Sequence, residues 1–188
     1  MIITIAGDIG AGKSTVASIL SRELGFNNYS CGRFQRKIAE DRGVPILELA
    51  EIAKTDPTVD EDTDNWQVEI GKKEDNFVME GRISFHFIPN SYKVYLAVSP
   101  EEGGKRVYKS KRPDEQANTT LKATIDNNRI RREAELYRYK TTYNLDPTDE
   151  KNYDLVIDTT KLPAVEVARR IIEGMKKRAH RLSRKVIE

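Results

Sequence analysis

The segment from Gly7 to Ser14 has the residue types and the spacing of a phosphate-binding loop. It reads Gly-Asp-Ile-Gly-Ala-Gly-Lys-Ser and satisfies the pattern G-x-x-x-x-G-K-S/T. Glycines let the backbone curl until successive N–H groups point at one anion, and a following helix N-terminus adds positive potential. We expect Lys13 to reach the β- and γ-phosphates of a nucleotide and Ser14 to offer its hydroxyl to Mg²⁺. The predicted nucleotide contacts are Gly7, Asp8, Ile9, Gly10, Ala11, Gly12, Lys13, Ser14 and Thr15.

Charged residues also follow two other apolar segments. Glu80-Gly81-Arg82 comes directly after the run Phe77–Met79, and Arg36 lies near the start of a helix that follows a short strand. In parallel sheets, ligands bind at the carboxyl ends of the strands. Glu80 could there order Mg²⁺ or its water shell, and Arg82 could clamp an anion with two hydrogen bonds. A lone arginine is more often a solvated surface charge. Two arginines beside a phosphate loop could instead form a second phosphate-binding site.

The stretch between Pro100 and Asp149 is strongly charged and is predicted to be helical. Such charge density usually marks a solvated helix face. Beside a phosphate loop it has a second use, since a mobile arginine-bearing lid can neutralise a transferring phosphoryl group and expel water. The basic residues concerned are Lys105, Arg106, Lys109, Lys111, Arg112, Arg129, Arg131, Arg132 and Arg138. The basic positions 176–185 are interpreted as a solvated helix end.

The order of elements predicts a parallel α/β sheet that holds these residues at one edge. Strands are predicted at Ile2–Ala6, Tyr29–Ser30, Asn76–Glu80, Tyr92–Val98 and Leu155–Asp158. Helices are predicted at Ser14–Leu24, Arg33–Arg42, from Pro45, at Asp60–Lys73 and from Pro163. Because helical patterns separate the strands and no hairpin signal occurs, we predict a three-layer α/β/α sandwich with about five parallel strands. Residues 1–188 are expected to form one domain.

Composition excludes several classes of protein. The chain has 188 residues, 33% of them charged, with a net charge of only +2, which argues against a protein that coats nucleic acid. Its one cysteine, Cys31, cannot form an internal disulfide. No apolar run approaches the ~20 residues of a membrane span, and the N-terminus lacks the pattern of a signal peptide. We expect a cytoplasmic monomer that binds no membrane.

In this order, the motifs resemble the archaeal-type cytidylate kinases, a branch of the nucleoside monophosphate kinases. The resemblance runs from Met1 to about Met175. The segments that carry it are the phosphate loop, Ser30-Cys31-Gly32 with Arg36, Asp64 with Gln67, Met79-Glu80-Gly81-Arg82, Arg138-Tyr139 with Tyr143 and Asp146, and Asp154 to Thr159.

The resemblance implies transfer of the γ-phosphoryl group of ATP to CMP or dCMP, with Mg²⁺. It implies a helical insert for the monophosphate at about Gly32–Asp75 and a closing lid within about Lys105–Asp146. The residues expected to bind the acceptor are Arg36, Asp64, Gln67, Gly81 and Arg82. Those expected to act on the transferring phosphate are Lys13, Arg131 and Arg138, and Ser14 and Glu80 are expected at Mg²⁺, Glu80 through water.

Four positions depart from the family's pattern. Asp8 stands where proline is common, Arg33 where an acid is common, Trp66 where an arginine is common and Arg132 where a glutamate is usual. An acid beside phosphates is unfavourable unless it points away from them or meets Mg²⁺. In addition, Gly103-Gly104 is expected to weaken the start of the helix that leads to the lid. ATP-dependent phosphoryl transfer is therefore the general expectation, and CMP as the acceptor is the more specific one.

Two other functions stay open at this point. The phosphate loop also looks like that of deoxynucleoside kinases, in which Glu80 could act as the base for a sugar hydroxyl. Because a nucleoside carries no phosphate, Arg36 and Arg82 would then have no acceptor phosphate to bind. The other alternative is a nucleotide-dependent assembly factor that contacts RNA through the basic C-terminal helix.

Overall fold

The computed structural model describes residues 1–53, 56–110 and 119–185, and in these ranges five strands form one sheet. The strands are β1 (Ile2–Gly7), β2 (Asn27–Ser30), β3 (Phe77–Glu80), β4 (Tyr92–Ala97) and β5 (Leu155–Asp158). All neighbouring strands are parallel, and their order is β2-β3-β1-β4-β5. The predicted α/β fold with a five-stranded parallel sheet is confirmed.

Eight α-helices connect or flank these strands in the described ranges. They are α1 (Lys13–Leu24), α2 (Cys31–Asp41), α3 (Ile46–Ile52), α4 (Thr58–Lys73), α5 (Ser84–Phe87), α6 (Pro100–Ser110), α7 (Leu121–Tyr143) and α8 (Ala164–Lys185), with a 3-10 turn at Glu150–Asn152. The predicted helices occur with ends shifted by one or two residues. The short α5 was not predicted. Lys111 and Arg112 lie outside the described residues, as do the side chains from position 180 onward.

The central strand β1 is covered by helices on both faces. Ile3 and Ile5 are fully buried among side chains of α1 and α8, whereas Ala6 packs on the opposite face with Phe85 of α5 and Tyr139 of α7. Alternate residues of a strand point to opposite faces, which explains this division. The three layers therefore fix the end of β1, where the phosphate loop begins, from both sides.

The helices α2, α3 and α4 enclose a small apolar cluster of their own. Its buried members are Ile38, Ala39, Leu49 and Val59. These helices lie within the segment expected to be the acceptor insert, and its assignment as an insert stays a prediction. No helix of the described ranges has the length and apolar character needed to cross a membrane.

Gly103 and Gly104 are the fourth and fifth residues of α6, and the helix is continuous through them. A Cβ atom on Gly103 would lie 2.6 Å from the carbonyl oxygen of Ile9, and one on Gly104 would lie 2.3 Å from Cγ1 of Ile125 in α7. The loop residue Gly10, with a φ of 83°, meets Gly103 in the same way. The pair thus lets α6 approach both the phosphate loop and α7.

We expect Gly103→Ala to destabilise the protein even though alanine favours a helix. The new methyl group would collide with a backbone oxygen, and such overpacking costs about 1–3 kcal/mol, against a helix-propensity gain of ~1 kcal/mol. The free energy of unfolding of the variant and of the wild type, measured in urea, shows whether overpacking exceeds the gain in helix propensity. The control is Lys105→Ala in the exposed face of α6, which should change stability by no more than about 0.5 kcal/mol. Equal or higher stability of Gly103→Ala would show that this close approach is not a constraint.

Candidate active site

The loop between β1 and α1 has the curled backbone that its glycines permit. Gly7, Gly10 and Gly12 have φ values of 144°, 83° and 86°, in the region that side chains disfavour. A Cβ atom on Gly7 would lie 2.2 Å from the carbonyl oxygen of Leu96 in β4, so the loop starts in close contact with the neighbouring strand. The first turn of α1 follows directly, which places a helix N-terminus at the loop.

The Lys13 ammonium folds back over this loop. Its Nζ donates to the carbonyl oxygens of Gly7 at 2.8 Å and Asp8 at 2.7 Å. Burial, followed by the nearby charge of Arg82, holds the pKa of Lys13 well below its ordinary value, while Glu135 and other acids act in the opposite direction. The side chain predicted to meet phosphate oxygens is therefore held inside the loop by carbonyl oxygens.

Ser14 and Glu80 meet as the sequence predicted for a magnesium site. The Ser14 hydroxyl donates to Oε2 of Glu80 at 2.7 Å. Glu80 is only 8% exposed and lies opposite Ile5 in the parallel pairing of β1 with β3. Hydroxyl and carboxylate oxygens are the ligands that Mg²⁺ prefers. The donor set fits this ion, with Ser14 and Glu80 as the residues that would hold it.

The Asp8 carboxylate lies in a network of donors. Its Oδ1 accepts the Tyr95 hydroxyl at 2.7 Å, its Oδ2 accepts the Val98 backbone N–H at 3.1 Å, and it forms an ion pair with Arg132 of α7. Burial and then the hydrogen bond to Asp8 raise the pKa of Tyr95. Two departures from the family's pattern, Asp8 and Arg132, thus neutralise each other.

Arg82 joins the phosphate loop to α7. Its Nη1 donates to the Gly7 carbonyl oxygen at 3.0 Å, and its Nε and Nη2 donate to the two carboxylate oxygens of Glu135 at 2.7 and 3.5 Å. Arg131 adds a third hydrogen bond to Glu135 at 3.1 Å. Sequence reasoning missed Glu135, whose one local signal is its position four residues after Arg131.

Gly81 and Gln67 belong to a buried polar cluster at the end of β3. A Cβ atom on Gly81 would lie 2.2 Å from Oγ of Ser84 and 2.6 Å from Sγ of Cys31, so a larger residue there would have to displace both side chains. Ser84 donates to Oε1 of Gln67 at 2.6 Å, and Nε2 of Gln67 donates to the Thr63 carbonyl oxygen at 3.3 Å. Gln67 is 2% exposed, so it orders the wall of the site from within.

The remaining acceptor candidates lie on α2 and α4. Arg36 has an exposed side chain on α2, whereas Asp64 on α4 is half-buried and accepts the Tyr143 hydroxyl at 2.5 Å. Burial raises the pKa of Asp64 to about 6, against the opposing effect of the Tyr143 hydrogen bond. Trp66, which stands where an arginine is common in the family, stacks on Phe34 with ring centroids 4.3 Å apart.

The helix α7 carries the basic residues expected to act on the transferring phosphate, and it brings them to different neighbours. Arg132 reaches Asp8 of the loop, Arg138 donates to Asp60 of α4 at 3.2 Å, and Arg131 contacts Glu135 within α7. A cleft between the loop and α7 is lined by Gly7, Asp8, Ile9, Arg82, Arg132 and Glu135, among others. From α6, Arg106 instead binds the carbonyl oxygens of Thr159 and Thr160 at the end of β5.

These features define a P-loop kinase fold. A shikimate kinase from Bacteroides thetaiotaomicron superposes with a TM-score of 0.65 over 94% of this chain and 98% of that chain, at 18% sequence identity. At this identity the likeness concerns the fold alone.

The particular family follows from the sequence comparison. Residues 2–161 match the model of the cytidylate kinase-like family, and the chain belongs to that family. The cytidylate kinase of Methanobrevibacter smithii is 30% identical over 94% of this chain and 99% of its own length. A protein of Lacinutrix mariniflava named S-adenosylmethionine-dependent nucleotide dehydratase is 40% identical over 93% of this chain, which spans only 36% of that longer protein.

We expect ionisation of Asp64 to weaken the fold. Its pKa is about 6 in the folded protein, above the ordinary value of 3.8. The folded state therefore binds the proton more tightly, and this stabilisation is present below pH ~4 and is lost as the pH rises through about 6. Asp64→Asn removes the titration and leaves an oxygen for the Tyr143 hydroxyl. The free energy of unfolding of the wild type minus that of Asp64→Asn should fall between pH 4 and pH 7.

A second variant checks the cause of this shift. Tyr143→Phe removes a hydrogen bond that favours the ionised carboxylate, so carboxyl NMR should show the pKa of Asp64 moving further upward. A stability difference that does not change with pH would contradict the assignment.

Proposed function

We propose that this chain transfers the γ-phosphoryl group of ATP to a nucleoside monophosphate, with CMP and dCMP as the preferred acceptors. The observation that carries the proposal is the set Lys13, Ser14, Glu80 and Arg82 gathered around the end of β1. Each of these groups suits one part of phosphoryl transfer, in which charge spreads over the moving group and catalysis consists of positioning and electrostatic stabilisation. Membership of the cytidylate kinase-like family supports the choice of a nucleotide acceptor.

Lys13 is proposed to exchange its carbonyl partners for oxygens of the donor's β- and γ-phosphates. The carbonyl oxygens of Gly7 and Asp8 hold the ammonium at the loop, so the move needed is short. Bound Mg²⁺ would supply further neutralisation of the phosphate charge, and Ser14 and Glu80 are the residues placed to hold it. Loop N–H groups and the N-terminus of α1 complete the phosphate cradle.

The arginines are proposed to serve the acceptor and the moving group. Arg82 is fixed beside the loop by its bond to the Gly7 carbonyl oxygen, and its planar fork suits a phosphate. Arg131 and Arg138 would come from α7 as the lid closes, and Arg36 would meet the acceptor from α2. Asp64 is proposed to read the base, since an ionised carboxylate accepts from the exocyclic amino group that cytosine has and uracil lacks.

The contact between Glu80 and Ser14 favours a monophosphate over a nucleoside as acceptor. A nucleoside kinase would use Glu80 as the base for a sugar hydroxyl. In this structure Oε2 of Glu80 instead accepts the Ser14 hydroxyl at 2.7 Å, on the side of the donor phosphates. The guanidinium group of Arg82 beside the loop also suits an acceptor that carries a phosphate.

The test is a panel of acceptors in an assay of ADP formation from ATP and Mg²⁺. We expect CMP and dCMP to give the highest kcat/KM, with UMP and AMP lower and cytidine inactive. Lys13→Ala should lower kcat by about 100-fold or more, the cost of removing one group that stabilises transition-state charge. Lys176→Ala, at an exposed position of α8, is the matched control and should behave as the wild type.

Two results would contradict this proposal. A preference for cytidine over CMP would identify a nucleoside kinase, and turnover retained in Lys13→Ala would remove the phosphate loop from the mechanism.

One relative suggests what uses the product. In the Lacinutrix mariniflava protein, a region 40% identical to this chain forms 36% of a protein named for nucleotide dehydration. A kinase region joined to such an enzyme would supply it with phosphorylated nucleotide. We therefore propose that the product of this chain, or a nucleotide made from it by further phosphorylation, is a substrate for a nucleotide dehydratase.

A complementation assay tests this second proposal. The full-length relative, with the residue that aligns with Lys13 replaced by alanine, is given CMP, ATP, S-adenosylmethionine and a nucleoside diphosphate kinase together with this chain. We expect dehydrated nucleotide to form with the wild-type chain and not with Lys13→Ala, as followed by mass spectrometry. Equal product with both chains, or none with either while added CDP and CTP are converted, would contradict it.

A further inference from the structure

The carboxylate of Glu135 lies where cationic groups converge at the phosphate loop. It accepts hydrogen bonds from Arg82 at 2.7 Å and from Arg131 at 3.1 Å. The side chains of Glu135 and Arg82 are only 19% and 21% exposed, so this is a largely desolvated pair, unlike the solvated pair of Arg129 with Glu133 on the same helix. Such pairs need good geometry because each ion has lost its water.

Lys13 belongs to the same electrostatic group. Burial opposes the ionisation of Glu135, but Arg82, Arg131 and, more weakly, Lys13 together hold the pKa of Glu135 below its ordinary value. In return, Glu135 is the acid with the largest effect on Lys13. Two guanidinium groups bonded to one carboxylate, with an ammonium group close enough to act on its charge, also suit a phosphate group.

The other donors of these cations are also occupied within the protein. Lys13 bonds the carbonyl oxygens of Gly7 and Asp8, and Nη1 of Arg82 bonds that of Gly7. A phosphate chain that enters the loop must replace some of these partners. The carboxylate is the partner that a phosphate resembles in charge and in its paired oxygens, and it is also the one that a phosphate repels.

We propose that Glu135 is an internal competitor for phosphate, an anion that neutralises Arg82 and Arg131 in the nucleotide-free protein and is displaced when a nucleotide phosphate binds. Its displacement frees α7 at one of its contacts with the loop, while the ion pair between Asp8 and Arg132 remains as the other. Glu135 thereby sets the affinity of the site for phosphate and couples phosphate binding to movement of α7. This inference rests on the proposed function only in that both use the same phosphate site.

A purely structural role for Glu135 makes the opposite prediction. If the carboxylate served only to hold Arg82 and Arg131 in their binding positions, its neutralisation would leave them misplaced, and phosphate would bind more weakly. If it competes with phosphate, its neutralisation leaves cations without a charged partner, and phosphate binds more tightly. The sign of the change in affinity therefore decides between the two roles.

The experiment is calorimetric titration of the full chain with inorganic tripolyphosphate, without any acceptor. Glu135→Gln keeps the size of the side chain and an oxygen for Arg82 but removes the charge. We expect its Kd to fall by about 10-fold or more relative to the wild type, within the range of coupling between charged groups in one site. Glu133→Gln is the matched control, because Glu133 is on the same helix, 63% exposed and paired with Arg129, and its Kd should stay at the wild-type value.

Two further measurements keep the result interpretable. Circular dichroism and thermal unfolding show whether Glu135→Gln is folded. If it is not, Glu135→Asp is used instead, which retains the charge on a shorter side chain. This variant should bind tripolyphosphate more tightly than the wild type, by a smaller factor than expected for Glu135→Gln. Unchanged or weaker binding in a folded variant would overturn the inference. Since no acceptor is present, this outcome is independent of whether CMP proves to be the substrate.

Discussion

The parallel pairing of β1 with β3 and β4 is the constraint on which the site depends. It places Glu80 opposite Ile5 and Leu96 opposite Gly7, so that three strands end at the phosphate loop. The Ser14 hydroxyl can reach Glu80 only because these ends are adjacent, and the loop can begin against β4 only because Gly7 has no side chain. A fully buried strand core then makes this edge rigid, which electrostatic catalysis requires.

The helix α7 meets this edge through both apolar packing and charge. Tyr139 packs with Ala6 of β1 and Phe85 of α5, whereas Arg132, Glu135 and Arg138 form ion pairs with Asp8, Arg82 and Asp60. Ion pairs that lose water contribute little net stability, since desolvation offsets most of the attraction. The charged part of this attachment can be exchanged for a ligand that offers the cations a better anion. An apolar attachment of equal area would resist that exchange.

How far the sequence predicts this protein depends on the distance over which each interaction acts. The phosphate loop, the strands and most helices follow from local spacing and periodicity, and so did the meeting of Ser14 with Glu80, because parallel strands share an edge. Asp8 pairs with Arg132, 124 residues away, and Arg82 pairs with Glu135, 53 residues away. No local pattern indicates either ion pair. For Gly103 the sequence indicates only a low helix propensity, and its close packing against Ile9, 94 residues earlier, has no local signal.

The ion pairs at the site also follow from the cost of burying charge. Cations positioned to hold phosphates must remain in the folded protein when no nucleotide is bound, and unpaired they would carry the full penalty of desolvation. Glu135 and Asp8 reduce that penalty for Arg82 and Arg132, and in the proposed mechanism Glu135 then competes with the phosphate that Arg82 would bind. In this mechanism the affinity for nucleotide is the difference between how strongly these cations bind phosphate and how strongly they bind Glu135. Stability of the free protein and tightness of phosphate binding cannot both be maximal at this site.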